Sequence, residues 1–411
     1  MLQFMDYVQN AFYQASLWDH DNSYSTLTAT AQALLDFQTP HGLRLHISSL
    51  SAPSFATSYT LGSRGVVDGS VSFLYSSLPL RIASKSSEID LHHLIRGYRH
   101  LAELRKQDDP WFWQIWQGGK RIDKRDALLY GRLYLPTQTL EALYLRRVSP
   151  SRLLRLSCVS DSTLPNGGTI LALLQNDHGK YSTEYLYSTD SALFGIRGLY
   201  NFGFDPRKTP TSGQVPTSVT FPSPATAELQ HGRLSAGAEV YFSPLNKSGG
   251  MSTGVRFTTL PSHSGFPYTM ALTLNPLMGN VSSSYAVKAG PNLAFSSRFN
   301  FNFYSYESDV QMGMELWRAR SPSTHTTAPL TVEAEAKTRD DESGVYGEKA
   351  TREGENDING VLKVRGDQNW KIGFLWEGSI KDLLVSIGAG LDLKRRDRVL
   401  GSVGVEVSYS S

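Results

Sequence analysis

The sequence predicts an all-β chain whose strands close into a transmembrane β-barrel. Apolar and polar residues alternate in nineteen segments, most of them eight to eleven residues long, which is enough to cross a bilayer when a strand is tilted. Aromatic residues collect toward the ends of these segments, and the chain finishes on an amphipathic strand. The sequence contains no run of about 18 apolar residues, so we expect no transmembrane helix.

Length and charge narrow the class of protein. The chain has 411 residues, with 40 Lys and Arg against 38 Asp and Glu, a net charge of +2. Nucleic-acid-binding proteins usually carry a basic excess, so we expect no nucleic-acid partner. The single cysteine excludes an intramolecular disulfide framework. The N-terminus has no basic region followed by a long apolar core, so we expect no cleaved targeting segment.

Residues 1–40 form a helical and turn-rich segment ahead of the barrel, which we expect to span 41–411. Apolar residues recur here at helical spacing: Phe4, Tyr7, Val8, Ala11, Phe12 and Ala15. Asn22 and Ser23 break this pattern, a second apolar stretch follows at 33–37, and Pro40 closes the segment.

From residue 41 the hydrophobic period changes to two, so each strand has one apolar and one polar face. The predicted strands are 43–50, 54–62, 67–77, 128–136, 139–147, 152–160, 168–176, 180–188, 192–202, 232–243, 251–260, 266–275, 280–288, 292–302, 309–320, 358–366, 369–377, 382–391 and 398–409.

Three long segments interrupt the strands: 78–127, 204–231 and 321–357. Each follows an odd-numbered strand, so in an up-and-down barrel all three emerge on the same side. The first holds an amphipathic helical stretch, 88–104, that we expect to lie on the membrane surface or on a partner. The second is rich in Pro, Thr and Ser, and the third is acidic, polar and expected to be disordered.

Barrel closure removes exposed strand edges, which lipid does not tolerate. The aromatic residues expected in girdles at the headgroup level are Tyr59, Tyr75, Tyr130, Tyr187, Tyr200, Phe202, Trp317, Trp370, Trp376 and Tyr409. The charged residues expected to face a wet lumen are Arg44, Arg132, Arg197, Glu239, Arg256 and Lys371.

A soluble all-β protein remains an alternative, because alternation alone also fits a sandwich of two sheets.

The last strand has the form polar-x-Gly-x-x-hydrophobic-x-hydrophobic, carried by Ser402, Gly404, Val407 and Tyr409. This pattern resembles the β-signal of mitochondrial outer-membrane barrels, which the sorting and assembly machinery reads as an added strand. An amphipathic terminal strand can pair with an open sheet edge in this way.

Longer blocks resemble the fungal mitochondrial distribution and morphology family of the "ten" type over nearly the whole chain. They include MLQFMDYVQNAFYQAS, DNSYS, LTATAQALLDF, GLRLHISS, VDGSVSFLYSS, LLYGRLYLP, KYSTEYLYSTDSALFGIRGLYNFG, AGAEVYFSPLNKSGGMSTGVRF and LTLNPLMGNVSSSYAVKA. The resemblance implies a nineteen-stranded barrel of the mitochondrial porin type with the N-terminal segment in the lumen.

The resemblance also implies a function in the mitochondrial outer membrane. Members anchor the ER–mitochondria encounter structure, which supports lipid transfer and mitochondrial morphology and inheritance. They also assist the sorting and assembly machinery in maturing β-barrel proteins, including components of the TOM translocase. The implied partners are subunits of these complexes and membrane lipids, and no cofactor is implied.

Few individual residues carry over from the family. An aromatic pair at the end of the third strand corresponds to Phe73 and Tyr75 and implies a contact with the encounter structure. Position 73 carries Phe rather than Tyr, so it offers no hydroxyl. A second aromatic strand with Phe299 and Phe301 is a candidate contact with the assembly machinery. The tryptophans Trp111, Trp113 and Trp116 are further candidate partner contacts.

No pattern in the sequence predicts an enzyme or a metal site. His92 and His93 are adjacent, and neighbouring helix residues point about 100° apart, so they cannot chelate a metal from one face. No nucleophile motif or phosphate-binding loop of the usual spacing occurs. The alternative function is a general solute channel, since a barrel this wide is aqueous inside unless plugged.

Overall fold

A closed barrel of nineteen strands forms the protein, as the sequence predicts. The structure is a computed structural model that describes residues 1–64, 66–101, 104, 113–117, 120–123, 126–203, 232–261, 263–319, 358–394 and 399–411. The barrel strands, numbered β1 to β19, are Gly42–Ala52, Phe55–Arg64, Val66–Ser76, Asp126–Leu135, Leu140–Ser149, Arg152–Ser160, Gly168–Asp177, Tyr181–Ser188, Leu193–Phe202, Gly232–Ser243, Ser248–Thr259, Tyr268–Asn275, Asn280–Lys288, Leu293–Asn302, Ser308–Ala319, Ile358–Asp367, Lys371–Ile380, Leu383–Asp392 and Leu400–Ser410.

One parallel pair closes the barrel. Every strand pairs antiparallel with the next along the chain, and β19 pairs parallel with β1 from Gly42↔Gly404 to Ser48↔Ser410. Direction alternates along an up-and-down meander, so the first and last of an odd number of strands point the same way. Closure therefore requires this parallel seam, and it leaves no strand edge exposed to lipid.

The polarity of the wall is the reverse of that in a soluble β-protein. Inward side chains such as Ser58, Glu184 and Lys363 are buried, whereas outward side chains such as Leu43 and Ile196 are more than half exposed. Unpaired polar groups facing lipid would cost several kcal/mol. An apolar exterior around a polar interior fits hydrocarbon as the solvent, and the soluble alternative is wrong.

The predicted inward charges are confirmed where the structure describes their contacts. Arg197 lies 3.2 Å from Glu239 and 3.4 Å from Glu184, measured between nitrogen and carboxylate oxygen. Arg132 donates to the Ser70 hydroxyl, and Arg256 is almost fully buried.

Most of the predicted girdle aromatics point outward, but two do not. Outward exposure is observed for Tyr59, Tyr75, Tyr187, Tyr200, Phe202 and Tyr409. Tyr130 and Trp317 were assigned to the girdle wrongly. Tyr130 follows the outward Leu129 and lines the lumen, and Trp317 stacks on His92 with ring centroids 4.4 Å apart. Position near a strand end was misleading, because alternation decides which face a residue occupies.

Helices occur only between the strands or ahead of them in the part of the chain described. They are α1 (Phe4–Ala15), α2 (Ala29–Leu35) and α3 (Leu91–Leu94), with short 3₁₀ turns at Tyr24–Thr26, Pro165–Gly167 and Asp190–Ala192. A small hairpin pairs Gln114–Gln117 with Lys120–Asp123. Among the described residues no helix is long and apolar enough to cross a membrane.

The three long links begin at the same end of the barrel. The links that follow β3, β9 and β15 all emerge on the side we call the loop side; the opposite side, where β1 begins, is the turn side. The predictions for 204–231 and 321–357 fall outside the described residues, as does most of 102–125.

Candidate functional site: the filled lumen and the outer contact strands

A buried polar network holds residues 16–36 against the wall. Asn22 Nδ2 donates to Asp177 Oδ1 at 2.7 Å, Asn201 Nδ2 donates to Asn22 Oδ1 at 2.7 Å, and Ser235 Oγ donates to Asn201 Oδ1 at 2.7 Å. All four side chains are at most 6 % exposed. A buried polar group without a partner costs about 1–3 kcal/mol, so this network fixes the segment in one register on the wall.

Arginines from four strands bind the C-terminal ends of the helical pieces in the N-terminal segment, three through backbone carbonyls and one through a carboxylate. A helix leaves its last carbonyl oxygens without partners. Arg147 donates to the carbonyl of Ser16 after α1, Arg256 to that of Thr26 at 3.1 Å, and Arg365 to that of Leu35 at 3.0 Å. Arg298 pairs with the Asp36 carboxylate. These side chains come from β5, β11, β14 and β16, so the segment is reached from several sides of the barrel interior.

Two adjacent glycines let the chain cross the seam strands. A Cβ at Gly404 would lie 2.5 Å from the carbonyl carbon of Pro40, and one at Gly388 would lie 2.6 Å from its Cδ. Carbon atoms in contact need about 3.5–4.0 Å. The two glycines are register partners, Gly388 on β18 and Gly404 on β19, so together they form the flat patch over which Pro40 passes.

A second segment, residues 78–101, also packs inside the barrel, which corrects the predicted surface position of 88–104. Only Leu91–Leu94 is helical, and the apolar side chains of the segment are buried with those of α1: Ile89, Leu91, Leu94 and Ile95 against Met5, Val8 and Phe12. The Leu2 amide donates to the Leu94 carbonyl at 2.8 Å. The apolar face was recognised correctly, but its partner is α1 rather than a membrane.

Buried charges fix this second segment to the wall. The Lys363 ammonium donates to the carbonyl of Arg96 and lies 3.5 Å from a Glu377 carboxylate oxygen. Glu315, fully buried, accepts from the Trp317 indole and lies beside Gly97. A buried charge is tolerated only when it is paired, so residues 96–97 complete a cluster that the wall alone leaves unsatisfied.

Asp6 places a carboxylate inside the lumen on α1. Burial raises the pKa of this carboxyl above its ordinary value, and the neighbouring Arg96 and Arg132 oppose that shift. The neutral form is thus favoured relative to an exposed aspartate.

A cavity of about 2430 Å³ remains between the two segments and the wall. Its lining carries charges of both signs, among them Arg44, Arg155, Asp36 and Glu141. The cavity is large enough to admit water and polar solutes, and its mixed charge gives no strong preference for one sign. Among the described residues no three His, Cys, Asp or Glu side chains converge in a way that would hold a metal ion.

Phe73 and Tyr75 lie on the outer face near the loop-side end of β3. Each is 48 % exposed, and Phe73 stacks with Phe55 of β2 at 6.3 Å between ring centroids. Phe299 and Phe301 lie on the outer face of β14, with Phe299 46 % exposed and Phe301 partly buried. The two pairs are on distant strands, so the fold keeps them as separate surfaces.

The tryptophans predicted as partner contacts do not form a described exposed cluster. Trp113 is 5 % exposed, and the Arg147 guanidinium lies 4.8 Å from its ring centre, so an exposed contact at Trp113 is wrong. Trp111 and the side chain of Trp116 lie outside the described residues.

The residues of the terminal pattern occupy the seam strand β19. Val407 and Tyr409 are outward register partners of Leu45 and Ile47 on β1. Ser402 Oγ lies 3.1 Å from Thr39 Oγ. Gly404 is required by the approach of Pro40, a reason that the sequence pattern did not reveal.

Comparison with known families decides what the chain is. The family model for mitochondrial distribution and morphology protein 10 matches residues 1–357 and 326–411. The chain belongs to this family. Proteins of that name are 62 % identical over 411 residues in Phaeosphaeria nodorum and 58 % identical over 411 residues in Sclerotinia sclerotiorum, covering the whole of both chains. The protein from Podospora anserina is 44 % identical over 451 residues, again across both full lengths.

Family and fold together define the class of protein. The chain is a mitochondrial distribution and morphology protein with a transmembrane β-barrel, which is the architecture of a mitochondrial outer-membrane protein. The names of its relatives denote no enzyme activity. Arg256 was predicted to face the lumen, but its contact with the Thr26 carbonyl, the roles of Arg147, Arg298 and Arg365, and the glycine patch were not predicted from the sequence, although inward glycines and arginines at alternating positions were visible there.

Proposed function

We propose that the protein is a barrel subunit that anchors the ER–mitochondria tethering complex in the outer membrane and assists β-barrel assembly. In the first role it holds the encounter structure, through which lipids pass between the organelles at their contact sites. In the second it works with the sorting and assembly machinery, including the assembly of TOM components. Neither role requires bond chemistry from the barrel.

The observation that carries the proposal is the filled lumen. Residues 1–40 and 78–101 occupy the interior and are held there by buried hydrogen bonds and ion pairs. The outer wall and the two rims are therefore the surfaces that partner proteins can contact. The outward aromatic side chains of β3 and β14 supply large contact area at low entropy cost, as interface anchors do.

The tethering role is tested with Phe73→Ala/Tyr75→Ala. We expect this variant to lose co-purification of encounter-structure subunits in mild detergent while retaining the assembly machinery. Tyr185→Ala is a matched control, since Tyr185 is also outward and 48 % exposed but lies on β8. Equal recovery of the encounter structure with both variants would refute this contact.

The assembly role is tested with Phe299→Ala/Phe301→Ala. We expect selective loss of the sorting and assembly machinery and slower maturation of newly imported barrel precursors. Phe295→Ala is the control, because Phe295 is outward on the same strand and 42 % exposed. If the control and the double variant slow maturation equally, the contact is not at this pair.

A solute channel is the second candidate, favoured by the cavity of about 2430 Å³. Single-channel recording of the full chain and of a variant lacking residues 2–40 separates the two functions. The structural role predicts small or unstable conductance for the full chain and a large increase after deletion. A large, stable conductance of the full chain would favour the channel.

A further inference from the structure

The lipid-facing wall carries an unusual distribution of charge. Among outward strand positions whose side chains are described, charged residues occur at three places, and all three are arginines: Arg146, Arg152 and Arg318. Their orientation follows from their neighbours, since Leu145 and Leu153 are fully buried inward and Trp317 contacts His92 inside. No described outward position carries Asp or Glu to balance them.

All three arginines lie close to the loop side. Arg146 is three residues from the end of β5, Arg152 begins β6, and Arg318 is next to the end of β15. A charge in the middle of the hydrocarbon is strongly unfavourable, and this cost becomes small near the interface. The positions therefore correspond to the boundary where an arginine stem lies on the apolar wall and its guanidinium reaches the headgroups.

Arg146 and Arg152 are neighbours on this face. Arg146 is the register partner of Leu154, and Arg152 lies two residues before Leu154 on the same strand. Diagonal side chains of this kind are within reach of one another on a sheet. Neither guanidinium has an ion pair or hydrogen bond with any described residue, so within the described part of the chain two like charges lie side by side without a counter-charge.

Asn176 completes the cluster on the third strand. It is the register partner of Arg152 on β7, it lies between Leu174 and the loop-side end of the strand, and its Oδ1 has no hydrogen-bond partner. Its amide nitrogen is a donor at the level of Arg152, and Arg146, opposite Leu154, lies two residues further toward the membrane centre. Three donors on β5, β6 and β7 therefore face the same region of lipid.

We propose that Arg146, Arg152 and Asn176 bind the phosphate group of an anionic phospholipid of the surrounding bilayer. Guanidinium groups match phosphate oxygens in paired hydrogen bonds, and an anion between the two arginines removes their mutual repulsion. The occupant is a bilayer lipid rather than free phosphate, because Leu154 and Leu174 continue the surface toward the membrane centre and accommodate acyl chains.

A net negative headgroup is preferred over a zwitterionic one. The cluster presents two positive charges and no described carboxylate that would hold the ammonium group of phosphatidylcholine. One arginine near a membrane surface contributes about 1 kcal/mol toward anionic lipid, so the pair corresponds to about a thirtyfold preference.

The test is a lipid titration of the purified full chain, with bound lipids counted by native mass spectrometry. The probes are dioleoylphosphatidylglycerol, dioleoylphosphatidylcholine and inorganic phosphate. We expect saturable binding of phosphatidylglycerol, about thirtyfold tighter than that of phosphatidylcholine, and no competition by inorganic phosphate at equal concentration. Unselective binding of both lipids, or displacement by inorganic phosphate, would overturn the proposal.

Three variants assign the binding to this cluster. Arg146→Gln/Arg152→Gln should weaken phosphatidylglycerol binding about thirtyfold, Arg146→Lys/Arg152→Lys should retain most of it, and Arg318→Gln should leave it unchanged. Circular dichroism checks that each barrel is folded; if the Gln variant fails to fold, the Lys variant and single Gln changes carry the comparison. Unchanged binding in the folded Gln variant would place the lipid elsewhere and refute the site.

Discussion

At the scale of single residues, the inside of the barrel is specified by small and polar side chains whose partners lie far away in sequence. Asn22 and Asp177 are 155 residues apart, yet their side chains are joined at 2.7 Å. The alternation of the strands predicts that Asp177 faces inward, but no periodic signal identifies its partner. The sequence therefore gives the face of each residue, and the packed structure is needed to give its contacts.

Gly404 offers the sharpest test at this scale. Gly404→Ala should destabilise the barrel by about 1–3 kcal/mol, because the new Cβ would lie 2.5 Å from the Pro40 carbonyl and must displace residues 39–41. Thermal unfolding in detergent measures the change. Gly366→Ala is the matched control, since no atom lies within 4 Å of a Cβ there. Equal midpoints for the two variants would mean that Pro40 does not cross the seam strands.

Asp6 makes the docking of α1 depend on pH. Its folded-state pKa is raised, so its protonated form stabilises the docked state; this contribution is fully present below about pH 3.9, the ordinary aspartate pKa, and is lost as pH rises through the raised value. Asp6→Asn should remove this dependence and raise the thermal midpoint at pH 7.5. The difference between wild type and variant should shrink as the pH is lowered toward 4. A lower midpoint of Asp6→Asn at pH 7.5 would show that Arg96 and Arg132 outweigh the burial.

At the scale of elements, the strands were predictable and one interior segment was not. All nineteen strands were located, and the boundaries differ most at the start of β11 and at the end of β17. At the start of β11, Gly249 and Gly250 carry no side chain to mark the alternation. The amphipathic face of 88–104 was also recognised. An apolar face indicates only that another surface packs against it. Periodicity alone could not identify α1, which lies about 80 residues earlier in the chain, as that surface.

The two interior segments should therefore depend on each other. Leu94→Ala removes a side chain that is 2 % exposed from the core shared with α1, at a cost of about 2–5 kcal/mol to the docked arrangement. We expect faster amide hydrogen exchange in residues 4–15 as well as around position 94, with the strands unchanged. Leu277→Ala, in a turn and 57 % exposed, is the control. Exchange that rises only around position 94 would show that the segments dock independently.

At the scale of the whole molecule, the interior segments enter from opposite ends. Residues 1–40 join β1 at the turn side, and residues 78–101 follow β3 at the loop side. The Leu2–Leu94 hydrogen bond therefore joins two segments that enter the barrel from opposite faces of the membrane. The barrel is in this sense a closed wall around a folded interior. Its odd number of strands is possible only because the seam is parallel.

The seam itself can be tested by cross-linking. In a Cys158→Ser background, Leu45→Cys/Val407→Cys should form a disulfide under mild oxidation, because these outward register partners lie on neighbouring strands about 4.8 Å apart. Leu45→Cys/Val403→Cys should not, since Val403 is four residues away along β19, about 13 Å from the partner position. Proteolysis followed by mass spectrometry detects the linked peptides. An antiparallel or open arrangement of β1 and β19 predicts no bond in the first variant, or equal yields in the two, and either result would rule out the closed nineteen-stranded barrel on which the lumen and outer-wall assignments rest.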